Sequence, residues 1–128
     1  MFRRHIIQLG NSGVYVIYDE LEGKEAVTWS YLLHTVELPM EMKELPNEVQ
    51  VTGKNKAGGV SVAHLFSSAK TEQAIADTFF CAPTNWKNVT NAQGKALKYP
   101  NHWHFSSTTV PCKVARFLTV MDTHGNNR

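Results

Sequence analysis

The chain lacks the features that mark several large classes of protein. In its 128 residues no apolar run approaches the roughly 20 residues that a membrane helix needs. The formal net charge is only +2 and the basic residues form no long run, so the composition does not favour a nucleic-acid partner. The opening residues, MFRRHIIQLG, lack the long apolar segment and cleavage site of a secretory signal. We therefore expect no membrane and no nucleic acid among the partners.

Cysteine is also scarce, with only Cys81 and Cys112 present. The chain is therefore not a disulfide framework, and its length allows one core to be buried without such cross-links. Two alternatives remain for this pair. We favour two separate buried thiols over a disulfide, which would need the two Cα atoms to lie within about 7 Å.

What the chain does have is the pattern of an all-β domain. Apolar residues make up 42% of the chain and charged residues 19%, which suits one globular domain. Short runs rich in β-branched and aromatic residues alternate with turn residues, and no apolar repeat of helical length is evident. Because parallel strands need long helical connections, we predict an antiparallel β-sandwich over residues 1–121, followed by a polar tail at residues 122–128.

Turn residues divide this domain into short predicted strands. We expect the first three to form a meander, and the second to be covered on both faces because both its faces are apolar. Prolines make residues 38–48 a predicted loop, and residues 67–75 are expected to form a polar loop or a helical turn. The predicted strands are residues 2–9, 14–21, 26–34, 49–53, 59–66, 76–81, 86–90, 95–99, 102–107 and 113–121.

Two histidines two positions apart are the first candidate for chemistry. On a strand, His102 and His104 share one face, while Trp103 and Phe105 point the opposite way, toward the core. Such a pair can bind a metal ion, but a metal site needs a third ligand, and no carboxylate follows shortly after. We therefore favour two half-exposed histidines on an outer sheet face over a small metalloenzyme.

A second candidate pair is Asp19 with His34, near the ends of two predicted neighbouring strands. A catalytic triad would also need a nucleophile. The chain has no G-x-S-x-G elbow and no strand–turn–helix context that would present one. We interpret both side chains as polar groups that close the ends of strands.

Aromatic and basic residues are interleaved between residues 86 and 104. Aromatic faces stack on sugar rings, and lysine or protonated histidine pairs with carboxylate or sulfate, so the stretch suits an acidic polysaccharide. An ordinary hairpin with solvated lysines is the alternative that composition alone favours. The candidate substrate-binding residues are Trp86, Lys95, Lys98, Tyr99, His102 and His104.

One long segment, FRRHIIQLGNSGVYVIYDELEGKEAVTWSYLLHT, resembles the C-terminal region of the heparinase II/III-like polysaccharide lyases. The likeness rests on a basic, apolar strand (RRHIIQL), a V-x-V-x-x-D-x-[LV] strand (VYVIYDEL), a short acidic turn and a strand that ends WSYLLH. The later HWHFSS and VARFLTVM segments are similar to the closing strands of that family. The resemblance is best over residues 2–35 and 113–121, and it concerns strand patterns, not catalytic signatures.

This resemblance implies a parent protein with an α/α toroid of helices followed by β-sandwich layers, which cleaves uronate-containing glycans by β-elimination. In the family the catalytic groups come mainly from the toroid, and a further His with zinc ligands comes from an H-x-H-x-D motif. Here Ser106 stands where that motif has its Asp, and the pair of His102 and His104 follows the YDEL strand instead of preceding it. The resemblance therefore supplies no catalytic residue, no zinc ligand and no cofactor.

The expectation is thus a non-catalytic C-terminal β-sandwich domain that supports the substrate cleft of such a lyase and is inactive alone. Its expected partners are an acidic polysaccharide, such as a glycosaminoglycan, and the upstream helical toroid of the same parent chain. The resemblance also implies a periplasmic or secreted location. The alternative is a free-standing carbohydrate-binding module for acidic polysaccharide.

Overall fold

A computed structural model describes residues 1–36, 38–77, 92–95 and 102–123 of the chain. Within these residues there are nine strands and no helix, and the strands form two antiparallel sheets packed against each other. The predicted antiparallel β-sandwich is confirmed. The strands are β1 (Phe2–Gln8), β2 (Val14–Val27), β3 (Ser30–Val36), β4 (Glu41–Leu45), β5 (Glu48–Lys54), β6 (Val60–Ser67), β7 (Thr71–Ala76), β8 (His102–Thr109) and β9 (Cys112–Asp122).

Six strands form a large sheet in the order β1-β2-β9-β6-β5-β4, and three form a small sheet in the order β3-β8-β7. β1 and β2 make the predicted hairpin. Its turn holds Gly10 and Gly13 at positive φ angles of 56° and 64°, a conformation that glycine adopts without steric strain. β9, the last of these strands in chain order, lies between β2 and β6 and so joins the two halves of the large sheet.

The third predicted strand belongs to the small sheet, so the predicted meander is wrong. β2 continues through the expected turn to Val27, with a shift in its register against β9 after Glu22. The chain then crosses over, and β3 pairs with β8. Trp29 fixes this crossing, because its backbone N–H donates to Thr109 Oγ1 at 3.0 Å and its indole Nε1–H donates to the Cys112 carbonyl at 3.1 Å.

Two strands lie where loops were predicted. Pro39 and Pro46 flank β4 and do not interrupt it, so the strand between them can form. β7 occupies part of the expected polar loop because its polar residues Thr71 and Gln73 stand opposite inward-facing positions of β8. The predicted strands at residues 76–81, 86–90 and 95–99 lie largely outside the described residues, as does most of the tail.

The structure describes one of the two cysteines. Cys112, at the start of β9, is a half-buried free thiol with its Sγ 3.7 Å from Thr109 Oγ1. Cys81 lies outside the described residues.

The core lies between the inner faces of the sheets. Phe105 of β8 and Phe117 of β9 are fully buried, and the ring of Tyr31 from β3 packs 5.7 Å from that of Phe117. Phe105 therefore takes the inward position that was predicted opposite the histidines. The other buried apolar residues are Met40, Val49, Val51, Ala63, Leu65 and Ala115.

The outer face of the large sheet is apolar at its centre. Tyr18 of β2 and Leu118 of β9 stand opposite each other and are both 37% exposed, and Ile7 of β1 is 56% exposed. Val16 and Val120 form the next pair on this face, beside Ile7. We call these five residues the outer apolar patch. Because β2 is exposed on this side, the prediction that it is covered on both faces is wrong.

Candidate functional site

The outer face of the small sheet carries three histidines, which we call the histidine face. His34 of β3 stands opposite His104 of β8, with 6.1 Å between their ring centroids. His102 takes the same side of β8 as His104, since it lies two residues away on the strand. His34 and His102 are exposed and His104 is half-buried, in line with histidines on an outer sheet face.

Hydroxyl groups lie beside the histidines on this face. Ser30 Oγ and Thr108 Oγ1 are 2.9 Å apart, and Ser106 lies between Thr108 and His104 along β8. Hydroxyls and imidazoles both donate and accept hydrogen bonds, and a protonated imidazole adds positive charge. The face is therefore chemically suited to contact a polar or anionic ligand.

A metal centre would need further ligands near these histidines. In the part of the chain that the structure describes, no group of three or more His, Cys, Asp or Glu side chains is placed to hold a metal ion.

Only some of the predicted polysaccharide-binding residues can be placed. Lys95 is exposed at the end of the segment 92–95, a turn in which Gly94 has a φ of 74°. Trp86, Lys98 and Tyr99 lie outside the described residues. The structure therefore brings His102 and His104 together and adds His34 to them.

A cleft of about 380 Å³ opens between the sheets beside His34. Met40 and Met121 contribute to its apolar lining, and Lys54 contributes an ammonium group. That ammonium is paired with Glu41 Oε1 at 2.5 Å, so part of its charge is already balanced.

Asp19 does not meet His34, and its predicted position at the end of a strand is wrong. It lies within β2 on the inner face and is only 2% exposed. Arg4 stands directly opposite in β1 and donates from Nε and Nη2 to the two carboxylate oxygens, at 2.6 and 2.7 Å. These bidentate bonds offset the desolvation of a buried carboxylate, so Asp19 stabilises the hairpin.

The ion pair is connected to the core through Tyr31. The Arg4 guanidinium lies 6.0 Å from the centroid of the Tyr31 ring. Its hydrogen bond to Asp19 raises the pKa of Arg4 above the ordinary value. Burial raises the pKa of the Tyr31 hydroxyl, and the nearby Thr119 hydroxyl offsets part of that rise. Neither Arg4 nor Tyr31 is therefore suited to exchange protons near neutral pH.

The Arg4–Asp19 pair had a signal in the sequence that was missed. In a hairpin with its turn at residues 10–13, positions 4 and 19 face each other. An arginine and an aspartate at these positions, in otherwise apolar strands, are opposite charges that can pair. The contact between His34 and His104 had no such signal, because nothing local specifies that β3 pairs with β8.

Neither a comparison with protein-family models nor a comparison with curated proteins finds a match for this chain. Among the described residues, no helix is long and apolar enough to cross a membrane.

Proposed function

We propose that the chain is the non-catalytic C-terminal β-sandwich domain of a heparinase II/III-like polysaccharide lyase. The parent protein cleaves uronate-containing glycans by β-elimination in the periplasm or outside the cell, with its catalytic groups on an upstream helical toroid. The sequence resemblance at residues 2–35 and 113–121 is the starting point. These two segments are distant in sequence, but they supply β1, β2 and β9, which are adjacent strands of the large sheet.

The observation that carries the proposal is the outer apolar patch. An antiparallel sheet that faces water normally turns polar side chains outward, and a contiguous exposed apolar surface marks a contact site. Here Tyr18, Leu118 and Ile7 are exposed side by side on strands that belong to the resembling segments. A sandwich domain that packs against a neighbouring domain of the same parent chain would bury this patch.

The size of the native protein tests whether the chain belongs to a larger one. An antibody raised against the chain is used to blot an extract of the source cells. We expect a band far above 14.4 kDa, the mass of the chain. A band at that mass would contradict the proposal.

A lyase assay tests the non-catalytic role. With a uronate-containing glycan as substrate, the parent protein should release unsaturated uronate products and the 128-residue chain should release none. Formation of unsaturated uronate by the chain alone would show that its own residues are catalytic.

A second candidate function is a carbohydrate-binding module for acidic polysaccharide, favoured by the histidine face and by the exposed Lys95. Binding should weaken with salt and strengthen as the pH is lowered, because protonated imidazoles attract carboxylate and sulfate groups. His104→Ala and Trp86→Ala should both weaken binding, whereas His64→Ala, in the large sheet beside Glu48, is the control. Unchanged affinity in both test variants would rule the module out.

A further inference from the structure

The two edge strands of the large sheet differ in how well they are protected. β4 forms one edge, has five residues of which three are charged, and is flanked by Pro39 and Pro46. Short length, charge and proline are devices that keep a sheet edge from pairing with another chain. β1 forms the other edge, and it has seven residues and no proline. Its basic side chains are therefore the only such device on this edge.

These basic side chains are held by acidic residues of β2. Arg4 makes the bidentate pair with Asp19. Arg3 Nη1 and His5 Nε2 lie 3.5 and 3.3 Å from the same oxygen, Glu20 Oε2. Because Asp19 and Glu20 lie directly opposite on β2, these contacts draw the basic groups toward β2 and away from the open edge.

Half of the backbone groups of β1 point away from β2. Opposite residues in an antiparallel ladder alternate between hydrogen-bonded and non-hydrogen-bonded pairs. The Glu22 N–H donates to the Met1 carbonyl at 2.9 Å at one end of the hairpin. At the other end, the Leu9 N–H donates to the Val14 carbonyl at 3.0 Å. The odd-numbered residues of β1 therefore bond to β2. The residues that direct their backbone groups to the open edge are Phe2, Arg4, Ile6 and Gln8.

Apolar side chains are exposed along the same edge. Phe2 and Ile6 point to the inner side of the large sheet, yet they are 61% and 63% exposed, so the small sheet leaves them uncovered. Ile7 on the outer side is 56% exposed. A long, apolar edge strand is the arrangement to which another strand adds, through backbone hydrogen bonds and side-chain contacts together.

The sequence of β1 is self-complementary in one antiparallel register. With His5 at the centre of the pair, each arginine faces an isoleucine of the second copy, and the two imidazoles can share hydrogen bonds. Centring the pair on Arg4 sets this arginine opposite its own counterpart, and like charges directly opposite are destabilising. Centring it on Ile6 moves Phe2 past the end of the strand.

We propose that two copies of the chain pair through β1, antiparallel across a twofold axis at His5. The Gln8 carbonyl already accepts from the Gly10 N–H at 3.1 Å, so about six backbone hydrogen bonds form across the axis. The contact is the same on both copies, so it closes at a dimer. It depends on neither the lyase parentage nor the outer apolar patch, so these proposals can fail independently.

Sedimentation velocity of the 128-residue chain tests for the dimer. The reference chain carries Leu118→Thr, which interrupts the outer apolar patch and leaves β1 unaltered. We expect a monomer–dimer equilibrium between about 1 μM and 1 mM. A reference chain that stays monomeric over this range would overturn the proposal.

Proline at position 6 of the reference chain tests the open edge. Ile6→Pro removes an N–H that points away from β2, a position at which an edge strand tolerates proline. Two hydrogen bonds are lost per dimer, so dimerisation should weaken by at least about tenfold. Ile6→Thr keeps the N–H and the β-branched shape, and should dimerise within about threefold of the reference chain. A folded Ile6→Pro chain that dimerises like the reference chain would overturn the proposal.

A cysteine at position 5 tests the register, and gives a result even if Ile6→Pro does not fold. In a chain with Cys81 and Cys112 replaced by serine, His5→Cys should form a disulfide across the axis under mild oxidation. The two Cα atoms of this non-hydrogen-bonded pair would lie about 4.5 Å apart, within reach of a disulfide. Arg3→Cys, about 14 Å from its counterpart, should form none. A disulfide in Arg3→Cys, or none in His5→Cys, would overturn the proposal.

Discussion

The two outer faces of the sandwich differ in chemistry although both cover the same core. On the small sheet, the outward positions of β8 hold His104 and Ser106, opposite His34 and its neighbours on β3. On the large sheet, β2 and β9 turn Tyr18 and Leu118 outward. The outer face of the small sheet is thus mostly polar, as expected for a face in water, although Leu32 also lies on it, whereas the outer face of the large sheet is apolar at its centre.

This difference shows what the alternation of apolar and polar residues along a strand indicates, which is the number of its faces that are covered. A strand with one apolar face indicates one covered face, and β8 is read correctly on that basis. A strand with two apolar faces indicates two contact surfaces, and for β2 the sandwich supplies only one of them. The second surface is the place where the proposed neighbouring domain would pack.

The largest expected difference in stability is between substitutions on the inner face and on the outer face of β9. Phe117→Ala leaves a cavity in the core and should lower the free energy of unfolding by about 3–5 kcal/mol. Leu118→Ala, at the next position, removes an exposed side chain and should lower it by less than about 1 kcal/mol. Urea denaturation measures both. Equal losses would show that the outer apolar patch is as well packed as the core.

A smaller difference in stability is expected between substitutions of two arginines of β1. Arg4→Met leaves the buried Asp19 carboxylate without its partner. It should cost about 3 kcal/mol, near the low end for a buried ion pair because the Arg4 side chain is itself 43% exposed. Arg3→Met, which removes an exposed ion pair with Glu20 at 3.5 Å, should cost less than about 1 kcal/mol.

The double variant Arg4→Met with Asp19→Leu sharpens this test. Because it removes both charges, it should recover part of the stability lost in Arg4→Met alone. The double variant could instead be less stable than Arg4→Met, by as much as a further core substitution costs. In that case the unpaired Asp19 carboxylate is not the source of the stability lost in Arg4→Met.

The next prediction compares two leucines of similar exposure on opposite outer faces. Leu118 lies within the outer apolar patch, whereas Leu32 of β3, 43% exposed, lies among polar neighbours. Leu118→Thr should reduce self-association of the isolated chain, as measured by light scattering against concentration, because it interrupts a contiguous apolar surface. Leu32→Thr should leave self-association unchanged. A decrease in both variants would mean that the two faces do not differ in this respect.

Tyr31→Phe is expected to change the free energy of unfolding least at neutral pH. Its effect becomes measurable only at alkaline pH. Burial raises the pKa of Tyr31 in the folded chain, so the unfolded chain loses this proton first as the pH rises past about 10. The stability conferred by the neutral hydroxyl is present below that pH and is lost above it, by at most about 1.4 kcal/mol per pH unit.

Tyr31→Phe should therefore lose less stability above about pH 10 than the unaltered chain does. Tyr18→Phe, on the exposed face of β2, is the control for the loss of a tyrosine hydroxyl. Urea denaturation at a series of alkaline pH values measures the difference. If the free energy of unfolding falls equally steeply with pH in Tyr31→Phe and in the unaltered chain, the raised pKa of Tyr31 is contradicted.

Much of the fold could be predicted from local patterns. β1, β5, β6, β8 and β9 were identified to within about two residues at each end because apolar alternation and adjacent turn residues coincide there. β7 was missed because two of its inward-facing residues, Thr71 and Gln73, are polar and interrupt the apolar alternation. β2 was cut short because Gly23 and its charged neighbours look like a turn, although the longer strand absorbs them in a register shift.

The candidate site was less predictable than the fold. His102 and His104 share a face by simple strand geometry, so their arrangement followed from spacing alone. Their contact with His34 depends on which strands pair across the small sheet, which local sequence does not encode.

The central position of β9 has a consequence for the order in which the chain folds. The β1–β2 hairpin and the β4–β5–β6 unit can form from nearby sequence, but they become one sheet only when β9 inserts between them. Val14 then pairs with Asp122 across most of the length of the chain. Closing so long a loop is entropically costly, and folds dominated by such pairings form slowly, in about milliseconds to seconds. Until β9 is in place, two half-sheets with open edges coexist, and the chain is then at its most vulnerable to aggregation.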